Sequence, residues 1–187
     1  MADDLAGLVR DLADGDCKAR DTAARALRDL GPAASPAVPA LISVLRAGDP
    51  RQHALVINLL VEIGRASAPA VPFLIDALSG ASTDLREAAA GALAVLGPLA
   101  ADAVPALINS LQTTDHDSRF VRRHAAWALG EIGPAAASAT DRLNVLAEQR
   151  DDWDLRRCAE RALQRIARDI SQRDSVEYPD RRTRPIW

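Results

Sequence analysis

SPAVPALISVL at Ser35–Leu45 returns as APAVPFLIDAL at Ala68–Leu78 and as ADAVPALINSL at Ala101–Leu111. Self-similarity at a fixed spacing constrains a fold more tightly than any local motif. Gly31, Gly64 and Gly97 stand 33 residues apart, and Gly133 follows after 36. Ahead of each glycine lies an Ala/Leu-rich segment: RDTAARALRDLG, HALVINLLVEIG, REAAAGALAVLG and RRHAAWALGEIG, with a further copy, RRCAERALQRIA, from Arg156. Ala23, Ala26, Leu27 and Leu30 form an i, i+3, i+4, i+7 stripe, as do their equivalents in every copy. Val38, Leu41, Ile42 and Leu45 form a second stripe, echoed at Val71–Leu78 and Val104–Leu111. Each unit therefore reads as a helix pair.

The punctuation agrees. Glycine closes the first helix in a left-handed C′ conformation, and Pro32, Pro98 and Pro134 prevent its continuation. Pro39, Pro72 and Pro105 suit the opening turn of the second helix, where a missing amide donor costs little. Leu5, Leu8, Val9 and Leu12 match the second-helix stripe one period earlier, so the chain opens on a second helix with no first. The expectation is about ten helices: this orphan, four pairs and a last helix from Trp153 to Ile170. One such pair cannot bury its own stripe, so neighbouring pairs stack into a continuous core between two helical layers.

VRRHAAWALGEIG and AVPALINSL bring the chain to a family: the pattern resembles HEAT repeats, specifically the short bacterial HEAT-like type also found in phycobilisome lyases. The resemblance covers residues 4–169 and implies an all-α fold, a right-handed α-solenoid of about five HEAT-like helix pairs. Residues 1–170 are expected to form a single solenoid and residues 171–187 a flexible basic tail, of which Asp180–Trp187 is either a docking segment or plain disorder. The fourth pair departs from the pattern, with Thr140 and Asp141 in place of Val-Pro, so its second helix is expected to be shifted or shortened. The last helix is expected to lack a distinct polar cap and thus to be open to another copy or a larger complex.

Only 3% of residues are aromatic, so Ala, Leu and Val must build the core, and the helices must approach closely. Net charge is −3 but uneven. Residues 51–118 carry three Arg against seven acids, whereas residues 119–187 carry fourteen against eleven. Lys18 is the single Lys, a hint of GC-rich bacterial coding. Cys17 and Cys158 belong to no metal or disulfide pattern and read as reduced, packed thiols. The acidic N-terminus lacks the basic and apolar regions of a signal peptide, and no apolar run of 18 residues occurs; a cytoplasmic protein is expected.

No catalytic motif is present, and His53, His116 and His124 form no nucleophile–base constellation, so neither enzymatic activity nor a cofactor is expected. Arg20, Arg86, Arg122 and Arg156 form a ladder at one register, with His53 in the remaining unit. Such a ladder either staples neighbouring units or lines an anion-binding edge. Phe73 projects about 200° from the Val71 direction, opposite the stripe. In HEAT repeats the second helices line the concave surface, so the resemblance implies a groove bearing Ser43, Phe73, Asp76, Asn109 and Arg142. There Phe73 is either an interaction hot spot or the cover of an inter-repeat seam. Trp127, on a first helix among Arg119, Arg122 and Arg123, faces the convex side, for cation–π contact or for packing against the long loop or tail. Trp153 starts the last helix and is expected to cap the end of the core.

Three functions are compatible with these features. The leading one is a non-catalytic scaffold or adaptor that binds a protein along the concave face. The others are a lyase-like accessory factor of a pigment or enzyme complex, and a DNA-binding HEAT-like protein. The acidic middle units oppose the last.

Overall fold

A computed structural model describes residues 2–47, 50–113 and 118–176, with backbone alone at 2–3, 47, 50–51 and 168–176. The expected tail beyond Val176, with Asp180–Trp187, and His116 lie outside the described residues. Among the described residues there are ten α-helices and no strand: α1 (Ala2–Asp14), α2 (Cys17–Leu30), α3 (Val38–Ala47), α4 (Pro50–Ile63), α5 (Val71–Leu78), α6 (Thr83–Leu96), α7 (Val104–Ser110), α8 (Arg119–Ile132), α9 (Thr140–Ala147) and α10 (Trp153–Val176). α2, α4, α6 and α8 are 14-residue first helices, and α3, α5, α7 and α9 are their shorter partners. α10 is the first helix of a fifth unit, after which no further helix stands among the described residues; it runs six residues beyond the expected Ile170, because Ala167 stands where the other units have glycine.

Each pair is joined by a seven-residue 3-10 segment: Gly31–Ala37, Gly64–Ala70, Gly97–Ala103 and Gly133–Ala139. The glycine turns the chain. Gly97 has φ 56° and ψ −127°, which is not the left-handed helical conformation expected from the sequence but a more extended positive-φ region that a Cβ all but forbids. Its N–H still donates to the carbonyls of Ala94 and Leu93, so the helix end is satisfied. The segments pack on one another and on the following first helix, so their inner positions are small: Ala34, Ser67, Ala100 and Ala136 are all buried. The Ser67 hydroxyl is satisfied by donating to the Leu60 carbonyl at 2.8 Å.

Leu27, Leu60, Leu93 and Leu129 from the first helices meet Leu41, Leu74, Leu107 and Leu143 from the second in one continuous core. Successive first helices approach closely on Ala and Gly: a Cβ added at Gly130 of α8 would lie 2.9 Å from Ala162 Cα of α10. Two helical layers repeated along one direction make an α-solenoid.

Two expectations are corrected. α9 is neither shifted nor shortened; its eight residues equal the length of α5, and it starts directly after its 3-10 segment as the others do. Thr140 replaces the valine by donating its hydroxyl to the Ala137 carbonyl at 2.7 Å, and Asp141 adds negative charge to the first turn in place of a proline. The difference lies in the stripe, because Leu146 is buried while Asn144, at the register of Ile42, is exposed. The last helix also has a polar cap. Exposed Glu160 stands where Ile57, Ala90 and Ala126 are fully buried, and exposed Gln164 where Ala94 and Gly130 are buried. In the earlier units the following unit packs against the equivalents of those two positions.

Gln52–Leu78 and Thr83–Ser110 contain windows apolar enough, with mean hydropathies of 1.4 and 1.7, to cross a membrane by length and composition. Each is two helices broken at a positive-φ glycine, Gly64 or Gly97, and the apolar face of each lies in the core.

Candidate functional site

The residues singled out in the sequence fall on two surfaces. On the second helices, the sixth residue of α3, α5 and α7 is Ser43, Asp76 or Asn109, and all three are exposed. Val145 of α9, 50% exposed, and Arg10 of α1 occupy the same register. Sequence reasoning passed over both, although the repeat arithmetic that aligned the other three reaches them directly. Pro39, Pro72 and Pro105, also exposed, run alongside.

Phe73 and Arg142 are less available. Phe73 is half-buried against the core, with its ring 5.5 Å from that of His53 and perpendicular to it. Arg142 is half-buried and donates to the Leu111 carbonyl at 3.4 Å, which ties α9 to the C-terminal end of α7. The solvated part of this surface therefore holds the Ser43–Asp76–Asn109 column with Val145 and the three prolines, while Phe73 and Arg142 are only partly open to solvent.

The arginine ladder shares a register but not a set of partners. Arg20 donates to the Leu12 and Gly15 carbonyls (3.3 and 3.1 Å) at the end of α1, fastening α2 to the helix before it. Arg86 reaches forward to the Ser118 hydroxyl (3.1 Å) as well as to Thr83 (3.0 Å). Arg156 lies 3.7 Å from Glu160 on its own helix. Arg122 is half-buried, and its charge helps hold the Asp152 carboxylate ionised. Asp152 is the N-cap of α10, accepting the Leu155 N–H at 2.9 Å and an Arg123 N–H at 2.8 Å. Burial pushes its carboxyl upward, but these two bonds and the charges of Arg123 and Arg122 outweigh burial and leave it below the ordinary value of 3.8.

Trp127 sits on the first-helix layer, apart from the second-helix column, and is 41% exposed. The arginines expected around it stack elsewhere: the guanidinium groups of Arg119 and Arg123 lie 4.7 and 5.4 Å from the ring of Phe120, and Arg157 lies 5.3 Å from that of Trp153, itself 55% exposed. The Trp127 indole instead donates to Glu131 at 2.7 Å, and Glu131 pairs with Arg165 of α10. His124 lies beside it, 6.1 Å between rings and 3.8 Å from Glu87 of α6. Cys158, half-buried, has its thiol pushed up by burial. Among the described residues no three His, Cys, Asp or Glu converge as metal ligands.

The sequence profile of HEAT repeats matches residues 71–164, half of the chain. The chain belongs to the HEAT-repeat family. HEAT repeats serve in general as protein-interaction scaffolds, which accords with exposed columns that vary over a constant core. Among solved structures, the crystal structure of an engineered protein superposes with a TM-score of 0.68 at 26% identity, over 87% of this chain and 47% of that one. This HEAT chain thus spans about half the length of that protein. The search of curated proteins finds no match.

Proposed function

We propose that this HEAT solenoid is a non-catalytic scaffold that holds a protein partner along its second-helix face, the face that the family resemblance makes concave. One observation carries the reading: Ser43, Asp76 and Asn109 stand exposed at one register on three successive second helices, alongside the exposed Pro39, Pro72 and Pro105. A rigid row of differing polar groups at the repeat spacing selects a partner by its hydrogen-bonding and charge pattern. A standard interface of about 800 Å² per partner engages several repeats together.

A protein rather than a nucleic acid is the fitting partner, because three Arg against seven acids over residues 51–118 repel a polyanion. Cys17 and Cys158, both free, suit a reducing cytoplasm. The test is affinity purification from the native host, then titration of the recovered partner against Asp76→Lys and Asn109→Arg. Both variants are expected to weaken binding about tenfold or more at unchanged helicity, in the range of a lost interface hot spot. Wild-type affinity in both excludes this face.

A further inference from the structure

Trp127 stands as a ridge between two hollows of opposite charge. On one side a cavity of about 390 Å³ opens between α4, α6 and α8. It exists because Gly91 occupies, one repeat earlier, the register that Trp127 occupies in α8, and Asp84 and Glu87 stand at its margin. On the other side a cavity of about 460 Å³ lies between α8 and α10, with Arg161 and Arg165 at its margin. Its floor is the close contact of Gly130 with Ala162.

We propose that this outer surface is a second binding site, for an extended peptide segment of a partner protein that is cationic at one end, apolar in the middle and anionic at the other. Three features support that chemistry. Trp127 offers an apolar plate whose polar edge is already satisfied by Glu131, and Glu131 is held in turn by Arg165. The indole is thus positioned before any ligand arrives, which lowers the ordering cost of binding. Asp84 and Arg161 have no ion-pair partner among the described residues, so each hollow keeps at least one uncommitted charge, of opposite sign.

The separation fits as well. α6 and α10 are two first-helix spacings apart, about 16–20 Å at 8–10 Å per packed helix pair. Asp84 lies about 10 Å along the axis from the register of Arg161, which puts the two positions about 19–23 Å apart. A strand of about six residues spans that distance at about 3.3 Å each. A purely acidic ligand, a nucleic acid included, would meet Asp84 and Glu87, and a purely basic one would meet Arg161 and Arg165.

The test is an N–H correlation spectrum of the full chain that follows the Trp127 indole signal, assigned with Trp127→Phe. Three synthetic hexapeptides are titrated into the millimolar range, each with leucine and phenylalanine at its centre. One has lysine first and glutamate last, one has lysine at both ends, and one has glutamate at both ends. The dipolar peptide is expected to shift the indole signal and to bind about fivefold tighter than either of the others, the difference one exposed ion pair supplies. In Arg161→Glu the preference is expected to pass to the peptide with two lysines. No shift from the dipolar peptide, equal affinity for all three, or an unchanged preference in Arg161→Glu each overturns the proposal. Because the second-helix column is untouched by these variants, this outcome is independent of partner binding there.

Discussion

Leucine at one register recurs five times along the solenoid, and its burial varies with position. Leu27, Leu60, Leu93 and Leu129 are each at most 2% exposed, whereas Leu163 of α10 is only partly buried. The reason is that among the described residues no helix packs over the far side of α10. Leu93→Ala and Leu129→Ala each remove a fully buried isobutyl group from between flanking units, which leaves a closed cavity and costs about 2–5 kcal/mol. Leu163→Ala loses only part of that burial and opens toward water rather than into a void. Its cost is therefore the transfer term alone, about 1–2 kcal/mol. Urea unfolding followed by far-ultraviolet dichroism measures all three, with the slope checked so that a midpoint change reads as stability. Equal losses at Leu93 and Leu163 would refute the reasoning, because they would mean that Leu163 is as fully enclosed as Leu93.

Five further outcomes follow from the geometry. Gly130→Ala is expected to destabilise by about 1–3 kcal/mol through the 2.9 Å clash with the Ala162 backbone; Gly91→Ala, which meets only the His124 ring edge at 3.6 Å, is expected to stabilise by about 0.5–1 kcal/mol, both by thermal unfolding. Asp152→Ala removes the α10 N-cap at a cost of about 0.5–2 kcal/mol. Because the folded carboxyl of Asp152 lies below 3.8, its charge contributes stability in full above that pH and loses it as the pH falls through the folded value, so Asp152→Asn, which keeps the cap, is expected to flatten that part of the acid-unfolding curve. Glu160→Leu with Gln164→Leu strips the polar cap and is expected to produce concentration-dependent self-association in sedimentation; a strictly monomeric double variant would show that these two side chains do not guard the end.

What the sequence made legible is whatever depends on register alone. The helix pairs, the glycine turns, the two core stripes apart from the exposed Leu30, and the Ser43–Asp76–Asn109 column all follow from a 33-residue period, because equivalent residues meet equivalent neighbours. The polar cap was within reach of the same alignment, since Glu160 breaks a column of Ile57, Ala90 and Ala126. What stayed hidden depends on distances between units. The Trp127–Glu131 bond is an i, i+4 pair on one helix, but the Arg165 link that fixes it exists only because Gly130 lets α10 approach α8. Phe120 gave no signal at all: its equivalent in the preceding unit is Asp84, and it matters through guanidinium groups one and three residues away that the helix winds over its ring. The fourth unit misled for the opposite reason. Losing Val-Pro removed the landmark but not the cause of the turn, because Gly133 and the buried Ala136 and Ala139 still set where α9 begins. The connector, more than the helix it leads into, therefore carries the register of a repeat, and a substitution such as Ala136→Leu should disturb the stacking of two neighbouring units where changes at Thr140 or Asp141 disturb one helix start.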